Sequence, residues 1–98
     1  MLTDRTWLRS HEEETSPVRV YRPADHAFPP ARGRDGFTLH GDGRFDHVGP
    51  GRGDAPVTTP GTWHRDGDLV TATVAGATIT MEIVEEGEDV LRVHWSAG

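Results

Sequence analysis

The chain has 98 residues, with ten arginines against sixteen Asp plus Glu, a formal charge of −6 and a pI near 5.4, so it lacks the basic face that phosphate-driven nucleic-acid binding requires. It contains no cysteine, which excludes a disulfide framework, a thiolate nucleophile and Cys-ligated zinc, and no apolar run near the roughly 20 residues of a membrane span. Length predicts one domain over 1–98, and with no apolar signal-peptide core near the N-terminus a cytoplasmic protein is expected.

Twelve glycines and seven prolines separate short runs of alternating apolar residues, the pattern of short strands joined by turns. Trp7 to His11 and Val18 to Tyr21 read as the first two strands, with Pro17 between them. Ser10 to Thr15 is the best helical candidate, but its run Glu12-Glu13-Glu14 reads as a solvated strand end or loop. Residues 23–36, with Pro29-Pro30, form an irregular crossing loop. Between Gly36 and Gly49 a two-residue Asp42-Gly43 turn would put Phe45 on the opposite side from Phe37 and Leu39. A three-residue Gly41-Asp42-Gly43 loop, with Gly43 at positive φ, instead gathers Phe37, Leu39, Phe45 and His47 on one face. His40 then points outward beside Arg44. Gly49 to Pro60, with three prolines and three glycines, reads as a second long loop.

The second half can be tested for register, because a one-residue slip would carry every side chain to the wrong face. An Asp66-Gly67 turn pairs Arg65 with Asp68 and Trp63 with Val70. An Ala75-Gly76 turn sets Val74 opposite Ala77, Ala72 opposite Ile79 and Val70 opposite Met81. A Glu86-Gly87-Glu88 loop pairs Ile83 with Leu91, Met81 with Val93 and Ile79 with Trp95. The three hairpins agree on one apolar face. The predicted fold is all-β, an up-and-down antiparallel meander of about eight strands closing into a small barrel, which removes exposed edges. A two-sheet sandwich is the alternative.

Gly61-Thr62-Trp63, then Asp66-Gly67-Asp68-Leu69, then Val90-Leu91-Arg92-Val93 resemble small bacterial lipocalin-like (calycin-type) domains over roughly residues 36–96. The resemblance implies a cup-shaped barrel that binds an apolar small molecule, and no particular reaction.

Six histidines invite a metal, which would want three convergent His or carboxylate ligands. The registers place only His47 inside, and put His40, His64 and His94 outside, so neither a metal site nor a cofactor is expected. His47, beside Phe37 and Phe45, is the one candidate acid/base, since a buried imidazole must find a hydrogen-bond partner and can titrate near neutrality. Trp63, Trp95 and Met81 form an inward aromatic and thioether cluster that is either core or pocket lining, and Tyr21 offers a polar tip at a barrel mouth. Arg65 shares the inner face and snorkels toward Asp68. Arg52-Gly53-Asp54 matches an adhesion tripeptide by chance, and Glu85, Glu86, Glu88 and Asp89 read as a solvated hairpin tip.

A dry void of about 200 Å³ would cost roughly 5 kcal/mol, comparable to the whole stability of so small a domain. Any pocket is therefore small, wet at one end, or completed by a second subunit. The leading function is binding of a small apolar or aromatic ligand, with Tyr21, Phe37, Phe45, His47, Trp63, Met81 and Trp95 as walls and anchors. The alternatives are a filled-core interaction module, as a homodimer or with partners on the loops at 23–36 and 49–60, and a barrel enzyme of isomerisation or cyclisation using His47. No nucleic-acid or membrane partner is expected.

Overall fold

In the computed structural model, which describes residues 2–15, 17–29, 34–50 and 56–97, the alternating runs form eight strands. These are β1 (Thr6–Arg9), β2 (Val18–Pro23), β3 (Gly36–Leu39), β4 (Arg44–Pro50), β5 (Pro56–Asp66), β6 (Leu69–Val74), β7 (Ala77–Glu86) and β8 (Leu91–Ala97). Every pair is antiparallel, and the sheet closes on itself in the order β1-β2-β8-β7-β6-β5-β4-β3. No helix among the described residues is long and apolar enough to cross a membrane.

From β3 to β8 each strand pairs with the next in sequence. The β3–β4 hairpin has the predicted three-residue loop: Leu39 faces Phe45, Phe37 faces His47, and Gly43 takes φ +94°. The β6–β7 hairpin also has the predicted register, with Val74 opposite Ala77 and both turn residues, Ala75 (φ 50°) and Gly76 (φ 80°), left-handed as a type I′ turn demands. Two other registers differ from expectation by two residues. Asp66 pairs with Leu69, so the turn is Gly67-Asp68 and Trp63 faces Ala72. Gly67 alone is left-handed there (φ 62°), the first central position that a type II′ turn gives to glycine. Between β7 and β8, Met81 faces Trp95 and Ile83 faces Val93, and a bulge between Ile83 and Glu85 then shifts the ladder by one more residue. Neither correction changes which side chains face inward.

The predicted loop at 49–60 is mostly strand. β4 runs to Pro50 and β5 starts at Pro56, paired in register along seven residues. The prolines are tolerated because β6 pairs only with Gly61–Asp66, so the first part of β5 has one neighbour and an edge where a missing N–H costs nothing. The Arg52-Gly53-Asp54 tripeptide lies outside the described residues.

At the N-terminal end β1 lies between β2 and β3, pairing Trp7 with Pro23 on one side and Phe37 on the other. The connection from β2 to β3 therefore returns past β1, as a crossing loop. Within Ser10 to Thr15, His11–Glu13 makes one solvent-facing 3-10 turn, and each carboxylate of the acidic run meets an arginine. Glu14 takes Arg9 in a two-bond fork (2.7 and 2.8 Å), Glu13 takes Arg22 (2.7 Å), and Glu12 takes Arg34. Arg34 holds Glu12, and Arg22 with the Ser10 hydroxyl holds Glu13, down to a pKa of about 2.

The inner face carries the apolar cluster, with Trp7, Tyr21, Phe37, Phe45, Leu39 and Met81 all fully buried. β1 presses closely on β3. A Cβ on Gly36 would lie 1.9 Å from the Trp7 carbonyl oxygen and 2.9 Å from Leu8 Cδ2. Gly36→Ala must push the two backbones apart and is expected to cost about 2–3 kcal/mol, lowering Tm by about 10 °C or more. A thermal melt within 3 degrees or so of the wild type would show that β1 can yield at this point.

Candidate functional site

Alternation along β2 sends Arg19 and Tyr21 to the inner face, opposite Val93 and Leu91 of β8. Val20, between them, is buried on the outside, where its carbonyl accepts from the Ser10 N–H and its N–H donates to Glu14. Two residues beyond Val93 on the same face stands Trp95. Arg19 Cζ lies 4.5 Å from the Trp95 ring centroid, and Arg19 Nη1 makes a long 3.5 Å hydrogen bond to Tyr21 Oη.

The rings continue inward. Tyr21 is stacked on Trp95 at 6.2 Å, meets Phe37 edge to face at 4.8 Å, and Phe37 stacks on Phe45 at 5.9 Å. Such pairs add roughly 0.5–1.5 kcal/mol each beyond their buried area. The column starts in the packed centre and ends on Trp95, which is only partly buried. Burial pushes the Tyr21 phenol up to about 12, and the nearby Arg19 charge opposes the rise.

Of the residues that the sequence points to, Tyr21, Phe37, Phe45 and Trp95 form this column, and Met81 faces Trp95 across the β7–β8 ladder. His47 faces Phe37 across the β3–β4 ladder, half-buried, with its ring against Gly49. Trp63 also faces inward, opposite Ala72, and packs against the core from β5. It is half-buried, and its Nε1 donates to the His40 carbonyl at the β3–β4 hairpin (2.8 Å). Arg65 donates to Glu86 (2.9 Å) and lies 3.9 Å from Asp68, so Glu86 is its closer partner.

Arg19 was not legible as a site residue. The available signal was its spacing: two residues from Tyr21 on a strand puts it on the same inward face. What distinguishes it is its company. Arg5 has Asp89, Arg9 Glu14, Arg22 Glu13 and Arg34 Glu12, and Arg44, Arg65 and Arg92 face Asp42, Glu86 and Glu85. Among the described arginines Arg19 alone has no carboxylate in salt-bridge contact.

Arg19 also borders an open cleft of about 490 Å³, lined by Arg9, His11, Glu14, Pro17 and Val18. A second cleft, of about 510 Å³, lies on the outer wall around Thr6, Thr38, His40 and Asp46, where His40 Nε2 is 2.7 Å from Asp46 Oδ2. A third, of about 330 Å³, lies by Arg22, His26 and Asp89. Among the described residues no group of three or more His, Asp or Glu is gathered to hold a metal ion. Compared with family models, with curated proteins and with solved structures, the chain matches none.

Proposed function

We propose that this small antiparallel barrel binds a small molecule with an apolar or aromatic body, in the manner of a lipocalin-like protein, at the rim where Trp95 stands. A closed eight-stranded barrel is an architecture compatible with ligand binding. The observation that carries the reading is the aromatic column, which ends on a partly buried indole instead of a sealed core. Beneath it Tyr21, Phe37, Phe45 and Met81 fill the centre, so the ligand is seated against the rim, with the partly buried Trp95 as its wall. Emptying a cavity of lipocalin size would cost more than so small a domain has to spare.

Titration with the neutral fluorophore 1-aminoanthracene tests this. Saturable binding is expected, weakened about tenfold in Trp95→Ala, as for truncation of a central aromatic contact. Val84→Ser, at an outward position 53% exposed, should leave the affinity unchanged. Absence of saturable binding by the wild type would overturn the reading. The packed centre would then favour the docking-module alternative, which light scattering across a concentration series would examine as a homodimer.

A further inference from the structure

We infer that the ligand of this rim carries a carboxylate, and that Arg19, held in place by Tyr21 and Trp95, is its anchor; the inference rests on the binding function proposed above. In an acidic chain whose other described arginines each have a carboxylate partner, one guanidinium is left on the inner face without one. Glu14, the acidic group near enough to feel Arg19, is already taken by the Arg9 fork and the Val20 N–H.

Arg19 is nonetheless held in place. The Trp95 ring lies under the guanidinium, the arrangement in which a π face attracts a cation and fixes its plane. A guanidinium has five N–H donors, and one Nη1 donor is directed at Tyr21 Oη. The phenol oxygen accepts that bond and, being fully buried, serves to hold the guanidinium in place. The remaining guanidinium N–H groups thus stand beside an indole with no described carboxylate in contact, Asp35 reaching the phenol only through its charge. A carboxylate accepts from the guanidinium, while the body of the same molecule covers Trp95. Arg19 itself borders an open cleft, so the guanidinium is reached from solvent. A partly buried cation without a counter-ion is costly, and an arriving anion recovers that cost, so the charged bond is worth more here than at an exposed position.

The test uses two ligands of the same ring body, naphthalene-2-carboxylate and naphthalene-2-carboxamide, titrated by calorimetry against the wild type, Arg19→Met and Arg19→Lys. In the wild type the carboxylate should bind about tenfold or more tighter than the amide, the range of a charge-assisted hydrogen bond. Arg19→Met should reduce that ratio to near one while amide affinity is kept, and Arg19→Lys should retain part of the preference. Equal binding of the two ligands by the wild type, or a preference that survives in Arg19→Met, would overturn the anchor and leave the binding function standing. Loss of amide binding in Arg19→Met as well would assign Arg19 to packing over Trp95, also against the anchor. If the wild type binds neither ligand, the anchor fails together with the binding function.

Discussion

Trp7→Ala is expected to destabilise the protein by about 3–5 kcal/mol, the range for removing a buried tryptophan, out of a total of about 5–15 kcal/mol for a domain this size. The residue is 1% exposed and belongs to the central apolar cluster. Its Nε1 donates to the Leu2 carbonyl at 3.0 Å, so truncation also orphans a buried acceptor. The location magnifies the loss. β1 has four residues and is the bridge between β2 and β3, with three pairings on each side. Without the indole the closure has little left to hold it, and the two neighbouring strands become edges. Urea unfolding checks the magnitude, and hydrogen exchange at the β1 amides checks the place. Trp7→Phe should fall between the two, losing the bond to Leu2 but keeping much of the packing. A loss below about 1.5 kcal/mol in Trp7→Ala, with β1 still protected, would show that closure does not depend on this side chain.

A second expected result is an alkaline titration at an unusual position. Tyr21 is the only tyrosine, and the chain has neither lysine nor cysteine, so absorbance near 295 nm reads one phenol with no other side chain titrating between its ordinary range and the arginines. Burial raises its folded pKa to about 12, against about 10 when unfolded. A raised pKa favours the neutral form in the fold. The stabilisation is therefore complete below about pH 10 and is lost as pH rises toward 12, in total on the order of 2–3 kcal/mol. Tyr21→Phe should flatten this alkaline loss. Arg19→Met should move the phenol higher still, because the Arg19 charge favours the phenolate. A phenol that ionises near 10 while the fold remains intact would mean that Tyr21 is open to water and not sealed in the aromatic column.

How far the residues disclose the fold follows from the periodicity of a strand. Alternation has period two, so asking whether Trp63, Val70, Met81 and Trp95 share a face detects a slip of one residue and is blind to a slip of two. The β5–β6 and β7–β8 registers went astray by two, with every inward residue still inward. Turn chemistry resolves the ambiguity only where it is distinctive. Ala75-Gly76 left one reading. At Gly41-Asp42-Gly43 the two readings differ by one residue, so the face of Phe45 decided. Asp66-Gly67-Asp68 offered two that differ by two, which alternation cannot separate. Pro56 and Pro60 masked the first half of β5, because a proline ends a strand only when a neighbour needs its N–H.

The sequence by itself determined the fold class, the inward set of side chains, and the absence of cysteine and lysine chemistry, because these follow from residue type and local alternation. Only the tertiary structure decided that Trp7 closes the barrel, that each carboxylate of Glu12-Glu13-Glu14 meets an arginine from another element, and that Arg19 is left over to lie on Trp95. Some of those pairings are near in the chain, as Arg9 with Glu14, and others far, as Arg19 with Trp95, but all are chosen by how the strands wrap, which alternation alone does not encode.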